Sequence, residues 1–397
     1  MKESVIHKKI YPEPGRKASP LRRRRVFVGM SGGVDSSVAA ALLKKKGYDV
    51  VGVFMKNWAD PKYPCPWQED RRDAMRVAAM LDIPFETWDF TREYRKLVVG
   101  YMIREYAAGR TPNPDVMCNR EIKFGLFLNK ARAEGADFIA TGHYVRLRTS
   151  TKNLKLRAKK SQKLSSKIYI LNTAADAAKD QSYFLWTLTQ DQLSRCLFPI
   201  GDYAKTEVRE LARRFVLPTA DKPDSQGICF VGEIDVREVL RDYIPGEPGK
   251  VLTTSGKVVG EHDGVQFYTI GQRHGMGVGG GIPFYVAEKD LTTNTLVVAE
   301  GPHDDKLFQK ELSVRDVNWI AGEPEWPLSC EARIRYRQPP QRCRVERQET
   351  RDKEQGKRTY RVSHVTCYFD EDQRAVTPGQ SIVFYDGKVM LGGGIIG

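Results

Sequence analysis

The first half of the chain alternates short apolar runs with longer amphipathic ones. The apolar runs predict strands at Val26–Gly29, Val50–Phe54, Phe85–Phe90 and Asp137–Thr141. The amphipathic segments predict helices at Ser36–Lys46, Glu69–Leu81, Arg92–Ala107 and Arg120–Glu134. Because strands and helices alternate, this half is predicted to form an α/β domain, a parallel sheet with helices on both faces.

From about Gly232 onward, glycine and proline are closely spaced and the apolar runs become shorter. Alternating segments predict strands at Gln266–Ile270, Pro283–Ala287, Thr295–Val298, Arg333–Arg337, Arg342–Glu346, Tyr360–His364 and Ser381–Tyr385. This pattern is typical of a small β domain or barrel. We therefore expect a basic, disordered arm at 1–24, an α/β domain at 25–231, a small central domain at 232–306 and a C-terminal β-barrel at 307–397.

Positive charge points to a polyanionic partner. The 397 residues include 64 Lys and Arg against 50 Asp and Glu, a net charge of +14. The excess is concentrated at Arg22–Arg25 and in Thr151–Lys167, which contains seven basic residues and no acid. Either cluster alone fits a solvated loop, but the two together indicate a surface for nucleic acid.

Membrane insertion and secretion are not predicted. No apolar run approaches the roughly 20 residues that cross a bilayer, and residues 1–25 lack the apolar core of a secretion signal. A mitochondrial transit peptide is the alternative for the arm. Seven cysteines without a C-x-x-C pair argue against a disulfide framework or zinc ribbon, and the histidines show no metal-ligand spacing. The sequence predicts a cytoplasmic protein with no metal site.

The candidate chemistry begins at Val26–Ser37, where a strand runs into a turn of small residues and then a helix. Gly32 and Gly33 let the backbone approach a phosphate, and Ser31 and either Ser36 or Ser37 can supply hydroxyls. The helix N-terminus that follows favours an anion. The Gly-Lys-Ser/Thr ending of a Walker loop is absent. This segment predicts a nucleotide-binding loop of another type.

Two cysteines follow polar turns. Cys118 lies near the end of Gly109–Asn119, a loop with two prolines ahead of the predicted helix, so the positive end of that helix is expected to stabilise its thiolate. Asp115 is expected beside it. Cys229 lies in Asp224–Gly232, between a polar turn and an apolar run. Either cysteine alone also fits a buried structural residue.

Taken together, these segments resemble the tRNA-specific 2-thiouridylase family of the PP-loop ATP pyrophosphatases, from about Arg25 to the C-terminus. The matching blocks are Met30–Ser37, Phe54–Trp58, Gly109–Asn119, Ala140–Tyr144, Lys179–Leu185, Gly227–Phe230, Tyr268–Arg273, Arg335–Arg337 and Thr377–Gln380. The resemblance implies an adenine nucleotide alpha hydrolase-like N-terminal domain, a small tRNA-binding central domain and a C-terminal barrel. The basic arm and the lysine-rich segment are not part of the family's motifs, so their role stays open.

The resemblance also implies a role for individual residues. ATP, with Mg²⁺, would be held by Gly29, Met30, Ser31, Gly32, Gly33, Val34, Asp35, Ser36, Met55 and Gly142. The target base would meet Asn113, Pro114 and Asp115, and other parts of the tRNA would meet His143, Lys179, Asp180, Gln181, Arg335, Tyr336 and Gln380. Cys118 would be the nucleophile, Cys229 the persulfide carrier and Asp115 a catalytic group.

The expected reaction is ATP-dependent adenylation of the C2 oxygen of the wobble uridine in a tRNA anticodon stem-loop, followed by sulfur transfer. A sulfur carrier or cysteine desulfurase would supply the persulfide. Three alternatives remain at this stage: a PP-loop ligase for a small molecule, a noncatalytic RNA-binding module, and an iron–sulfur-dependent thiolase. The first would not need the basic clusters or the cysteine pair, and the second would not need the loop at Ser31–Ser36.

Overall fold

The computed structural model describes residues 8–9, 23–60, 62–63, 67–150, 167–224, 236–279, 281–351 and 358–397. Cys229, nearly all of the lysine-rich segment and most of the basic arm therefore lie outside the described residues. Within the arm, strand β1 (Lys8–Lys9) pairs antiparallel with residues 148–149. The division into an arm and three domains at the expected bounds stays a prediction.

The N-terminal sheet has five parallel strands. They are β2 (Arg25–Gly29), β3 (Asp49–Lys56), β4 (Phe85–Asp89), β5 (Phe138–Ala140) and β8 (Cys196–Leu197), in the order β4-β3-β2-β5-β8. The central strands are apolar along their length, as expected for a parallel sheet covered on both faces. The predicted α/β architecture is confirmed.

Helices cover this sheet and extend beyond it. They are α1 (Val34–Lys45), α2 (Trp67–Met80), α3 (Thr91–Tyr94), α4 (Gly100–Ala107), α5 (Pro114–Met117), α6 (Phe127–Ala133), α7 (Gln190–Ser194), α8 (Lys205–Arg214) and α9 (Val236–Arg241). π-Helical turns at Arg95–Val99 and Cys118–Leu126 make α3–α4 and α5–α6 continuous. None of the described helices is long and apolar enough to cross a membrane.

The helix predicted to begin at Arg120 begins at Pro114 instead. The Asn113 side chain accepts a hydrogen bond from Val116 N and caps the helix, and Pro114 occupies its first position. Both residue types favour a helix start at these positions. Cys118 therefore lies in the second turn, not at the end of a loop.

The central unit is a four-stranded sheet. Its strands are β9 (Gly249–Thr253), β10 (Val258–His262), β11 (Phe284–Asp290) and β12 (Thr295–Glu300), in the order β10-β9-β12-β11. The strand predicted at Gln266–Ile270 is wrong, since residues 265–267 form a 3₁₀ turn. Val265, Phe267 and Tyr268 are all buried, so these side chains do not alternate between two faces.

The C-terminal unit is a closed six-stranded barrel. Its strands are β13 (Phe308–Trp319), β14 (Leu328–Arg333), β15 (Gln341–Arg351), β16 (Arg358–Arg374), β17 (Ser381–Asp386) and β18 (Val389–Ile396). They pair in the order β18-β13-β16-β15-β14-β17, and β17 closes the ring on β18. The predicted barrel is confirmed. Of the strand predicted at Arg333–Arg337, only Arg333 lies in a strand, and residues 334–337 form a turn in which Arg337 has a φ of 67°.

An antiparallel hairpin joins the barrel to the N-terminal half. Strands β6 (Val145–Ser150) and β7 (Ile168–Thr173) pair with each other, and β7 pairs with β18 at Val389 and Met390. Two strands that lie between β5 and β8 of the parallel sheet in sequence thus extend the barrel sheet. This contact fixes the first half of the chain against the last.

Candidate active site

The predicted nucleotide loop lies at the point where the strand order of the parallel sheet reverses. The chain runs outward from β2 to β3 and β4, then returns to place β5 on the other side of β2. In such sheets, ligands bind in the crevice beyond the carboxyl ends of the two strands at the reversal. Here those ends lead into Gly29–Ser36 and into Thr141–Tyr144.

Hydroxyl groups hold the loop in shape. Ser36 Oγ accepts from Ser31 N at 3.1 Å, and Ser36 Oγ and Ser37 Oγ donate to Gly33 O at 3.2 and 2.8 Å. Helix α1 begins directly after Gly33, and no side chain caps its first amides. Uncapped amides at the start of a helix attract an anion such as phosphate.

Close backbone contacts explain why glycine occupies two loop positions. Gly32 has a φ of 77°, and a Cβ there would lie 2.2 Å from Asp70 O in helix α2. A Cβ on Gly142 would lie 2.7 Å from Ser36 N. Gly142, Gly32 and the start of α1 are therefore packed so tightly that a single methyl group would displace the loop. Met55 also borders the loop, because its Cε would be 3.0 Å from a Cβ on Gly29.

A chain of ion pairs leads away from the loop at Asp35. Tyr144 OH donates to Asp35 at 2.7 Å, and Lys205 Nζ lies 2.8 Å from both Asp35 and Asp224. Lys179 and Arg209 also pair with Asp224, at 2.6 and 2.8 Å. Burial raises the pKa of Asp224, but hydrogen bonds from Lys179 and Lys205 outweigh it and lower that pKa to about 2. Asp224 therefore stays ionised at neutral pH.

Cys118 lies in the helix that continues from α5. Its side chain is only 2% exposed, and it belongs to the core between the parallel sheet and the barrel. Because the helix begins at Pro114, Cys118 lies beyond the first turn, where the positive end of a helix acts most strongly. The expected thiolate stabilisation by that end is accordingly weaker than the sequence suggested.

The segment before this helix is held by the other two units. Thr111 N donates to Pro378 O at 2.9 Å, and Gln380 Nε2 donates to Thr111 O and Pro112 O at 2.9 and 3.0 Å. Thr111 Oγ1 lies 3.3 Å from Thr269 Oγ1 in the central unit. Gln380, predicted to contact tRNA, has its amide engaged with the carbonyls that precede Asn113.

A buried carboxylate adds a second clamp. Glu105, at the end of α4, receives two hydrogen bonds from Arg110, at 2.6 and 2.9 Å, and one from Arg315 of the barrel, at 3.0 Å. Hydrogen bonds from Arg110, opposed by burial, lower the pKa of Glu105. Arg110 directly precedes the Thr111–Asn113 segment, so the barrel fixes the approach to the Cys118 helix at two points.

The segment Thr141–Tyr144 connects the loop with the Cys118 helix. Gly142 packs on Ser36, and the His143 ring lies 5.7 Å from that of Phe124 in the same helical segment as Cys118. His143 Nδ1 is 2.8 Å from Thr141 Oγ1, and the residue is 7% exposed. Burial, aided by the charge of Lys123, lowers the pKa of His143 well below its usual value, so the imidazole is neutral. Its predicted tRNA contact stays a prediction.

Asp180 is another predicted RNA contact whose oxygens are already engaged. It is 3% exposed and accepts hydrogen bonds from Ala174 N, Ser182 N and Ser182 Oγ. Arg333 of the barrel pairs with it at 3.1 Å. Asp180 thus organises its own loop and ties that loop to β14.

Lys179 and Gln181, the two neighbours of Asp180, also make intramolecular contacts. Lys179 pairs with Asp224, and Gln181 Oε1 accepts from Tyr144 N at 2.9 Å. Lys179 keeps a third of its side chain exposed, which leaves its charge available to a phosphate. Through Lys179, the ion pairs that lead from Asp35 to Asp224 reach this loop. Through Gln181, the loop contacts Tyr144, which directly precedes strand β6 of the hairpin.

The predicted contacts in the barrel lie beside the same region. Arg335 is exposed and donates to Ala375 O at 2.6 Å. The Tyr336 ring packs on Phe184, with ring centroids 4.6 Å apart. Asn113, Pro114 and Asp115 are partly exposed at the helix start. The structure therefore leaves solvent access at the residues assigned to the target base and at Arg335.

Sequence reasoning assigned no role to Lys205, Glu105 or Arg315. Each lies in an amphipathic helix or alternating strand, where a charged residue is ordinary and no motif marks it. Their positions become informative only through their partners, since Lys205 pairs with Asp35 and Arg315 with Glu105. Charge pairing across more than a hundred residues leaves no local signal in one sequence.

Three family models together match nearly the whole chain. Residues 24–233 match a tRNA methyl transferase HUP domain, 237–300 a tRNA methyl transferase PRC-barrel domain, and 309–396 an aminomethyltransferase beta-barrel domain. The order of these domains agrees with the parallel sheet, the central sheet and the closed barrel.

Full-length relatives carry a more specific name. The chain is 48% identical over 376 residues to the tRNA-specific 2-thiouridylase MnmA of Shouchella clausii, covering 94% of this chain and 96% of the relative. It is 49% identical to that of Thiobacillus denitrificans, covering 94% and 99%, and 46% identical to that of Nitrosomonas eutropha, covering 95% and 99%. At this identity over the whole length, the chain belongs to the tRNA-specific 2-thiouridylase family.

Proposed function

We propose that the protein is a tRNA-uridine 2-sulfurtransferase, which replaces the C2 oxygen of the wobble uridine with sulfur at the expense of ATP. The observation that carries this proposal is the junction at Thr141–Tyr144. One side of it packs on the loop at Ser31–Ser36, and the other on the helix that carries Cys118. These two contacts support the proposal that a nucleotide at the loop and the Cys118 thiol act in one site.

The chemistry needs two stages because a carbonyl oxygen is a poor leaving group. In the first stage, the uridine O2 attacks the α-phosphorus of ATP and pyrophosphate leaves, which gives an adenylated base. The loop amides and Ser31 would hold the phosphates, and Gly32 and Gly142 allow the close approach. Mg²⁺ would arrive with the ATP phosphates, since it is commonly held by phosphates and one or two carboxylates. Asp35 would supply one of those carboxylates.

In the second stage, sulfur replaces the activated oxygen. The terminal sulfur of a Cys229 persulfide attacks C2 and AMP leaves, with the base linked to Cys229 through two sulfurs. The Cys118 thiolate then attacks Cys229 Sγ, which releases 2-thiouridine and leaves a Cys118–Cys229 disulfide. Asp115 would take the proton lost by the persulfide or by Cys118. A reductant and a persulfide donor must restore the enzyme for the next turnover.

The division of labour among the three units follows from the same proposal. We assign ATP binding and catalysis to 25–231, tRNA binding to 232–306 together with exposed basic groups such as Arg335, and support of the active site to the barrel at 307–397. The basic arm and the lysine-rich segment would add nonspecific attraction to RNA phosphates. A cytoplasmic location fits an enzyme whose thiols must stay reduced.

Two other activities fit less well. Methyl transfer, which the descriptions of two matched domain models mention, has no use for a pyrophosphatase-type loop or a cysteine pair. A small-molecule ligase would not require the net charge of +14. An iron–sulfur thiolase differs in two observables, since its purified protein would absorb visible light under anaerobic conditions and would lose its thiolation activity when an iron chelator is added.

The test combines product analysis with matched cysteine variants. Purified protein is incubated with unmodified tRNA, labelled ATP, cysteine and a cysteine desulfurase, and the tRNA is digested to nucleosides for mass spectrometry. We expect 2-thiouridine with AMP as the nucleotide product, and none with Cys118→Ser. Cys196→Ser is the control, because Cys196 is as buried as Cys118 but lies in strand β8, outside every predicted motif. ADP as the main product, or full thiolation by Cys118→Ser, would refute the proposal.

A further inference from the structure

Three cysteines lie side by side in the wall of the barrel, on strands β14, β15 and β16. Cys330 and Cys343 are directly opposite each other in the antiparallel register, with their Sγ atoms 3.7 Å apart. Cys367 is opposite Val345, which makes it the diagonal neighbour of Cys343 on the same face. All three are free thiols, and the proposed sulfur transfer uses none of them.

The register decides which of these cysteines can be linked. Directly opposite residues of antiparallel strands have Cα atoms roughly 4.5–5.5 Å apart, within the usual range of about 4.4–6.8 Å for a disulfide. Diagonal neighbours are roughly 7–8 Å apart, too far to be bridged without movement of the backbone. Cys330 and Cys343 can therefore be joined by rotating their side chains, whereas Cys343 and Cys367 cannot.

The three thiols differ in access and in reactivity. Cys343 is 4% exposed and Cys367 is fully buried in the barrel core, while Cys330 is partly exposed at its edge. An oxidant from solution therefore meets Cys330 first. Hydrogen bonds from Cys330 and Cys367 to the Cys343 sulfur favour its thiolate and lower its pKa. Once Cys330 is modified, the Cys343 sulfur lies close to the Cys330 Sγ that it must attack, since the two atoms are 3.7 Å apart in the reduced protein.

We propose that Cys330 and Cys343 form a reversible disulfide, a modification site for low-molecular-weight disulfides such as oxidised glutathione. Cys330 sulfur attacks one sulfur of the small disulfide, which breaks that S–S bond and releases one thiol that takes the Cys330 proton. Cys343 sulfur then attacks Cys330 Sγ and expels the second thiol, which takes the Cys343 proton. Two cysteine thiols are oxidised and one small disulfide is reduced to two thiols. The proposal does not depend on tRNA thiolation.

Peptide mapping of the intact protein tests the proposal. The folded protein is incubated with excess oxidised glutathione, denatured in acid with an alkylating reagent, and cleaved after glutamate. Cys330, Cys343 and Cys367 then fall on separate peptides, at residues 326–331, 332–346 and 355–371. We expect a cross-link between the first two peptides, which is lost on reduction, and alkylated Cys367.

Serine variants provide the matched controls. Cys367→Ser should keep the cross-link, whereas Cys330→Ser and Cys343→Ser should lose it, with circular dichroism used to confirm that each variant is folded. A cross-link between Cys343 and Cys367 would overturn the register argument. If Cys343 of the wild-type protein is recovered as the alkylated residue, it was still a free thiol after incubation. That result would overturn the proposal whether or not glutathione is found on Cys330, and whatever the variants show.

Discussion

The two loops of the candidate active site are held in different ways. The loop at Gly29–Ser36 is shaped within its own domain, by serine hydroxyls and by the contact of Gly32 with Asp70 O. The segment at Thr111–Asn113 depends on other domains, because Gln380, Pro378 and Thr269 supply its hydrogen-bond partners.

This difference separates two functions that the enzyme must coordinate. A phosphate loop with internal supports keeps its shape whatever the other domains do, so ATP binding should survive damage to the barrel. The base-facing segment is correct only when the barrel and the central unit are in place. Positioning of the target base and Cys118 should therefore be more sensitive to distant substitutions than ATP binding.

The largest effect is expected from Gly32→Ala. A Cβ 2.2 Å from Asp70 O must displace the loop or helix α2, and a φ of 77° is itself unfavourable for alanine. Because displacement of about 1 Å can cost roughly 100-fold in rate, AMP formation should fall by about that factor or more. Steady-state assay of labelled AMP measures it.

The control for this substitution is Gly47→Ala. Gly47 has a similar φ of 81°, but a Cβ there would meet no atom within 4 Å. The Gly47→Ala variant should lose about 1–2 kcal/mol of stability through backbone strain alone, and its rate of AMP formation should be unchanged. Equal activity losses in the two variants would mean that strain, and not the contact with Asp70, fixes the loop.

A smaller effect is expected from Gln380→Glu, which tests the second loop. A carboxylate cannot donate to Thr111 O and Pro112 O, and it repels both carbonyls. Two lost hydrogen bonds correspond to about 2 kcal/mol, so kcat for thiolation should fall roughly 10- to 30-fold, with ATP affinity unchanged. The KM for tRNA should stay nearly constant.

The opposite kinetic pattern would assign Gln380 to RNA binding. A higher KM for tRNA at constant kcat indicates a contact made equally in the ground state and the transition state. Gln348→Glu controls for general repulsion of RNA, because it adds the same charge at a residue whose amide donates to Ser313 Oγ and not to the Thr111 segment. If Gln380→Glu raises the KM for tRNA and Gln348→Glu does not, Gln380 contacts RNA and does not hold the Thr111–Asn113 segment in place.

The sequence was sufficient for the parts of this site that are local. The strand, small-residue turn and helix at Val26–Lys45 follow from apolar pattern and glycine placement, and the structure has them at nearly the predicted bounds. The helix start at Pro114 was mispredicted although Asn113 and Pro114 are favourable start residues. The sequence pattern places both prolines in a loop ahead of the helix, whereas Pro114 occupies the first helical position.

The remaining features are set by long-range pairing. Strand β7 pairs with β18 across more than 200 residues, and Glu105 meets Arg315 over a similar separation. An alternating strand pattern does not specify its partner, and a charged residue in a helix does not specify its counterion. The burial of His143 and Asp180, both predicted to face RNA, also depends on elements that are distant in sequence.

The smallest effect concerns His143, at the junction of the two loops. Its pKa is lowered by burial, so the unfolded chain binds a proton below about pH 6.5 that the folded protein does not. Stability should therefore fall as pH drops below 6.5, by about 1.4 kcal/mol between pH 7.5 and 5.5 from this residue alone. His143→Gln, which retains a polar partner for Thr141, should remove that share of the pH dependence in urea unfolding. His303→Gln, at an exposed position, should leave it unchanged. If His143→Gln loses as much stability at pH 5.5 as the wild type, the imidazole is protonated in the folded protein, and the junction is more open to solvent and RNA than its burial implies.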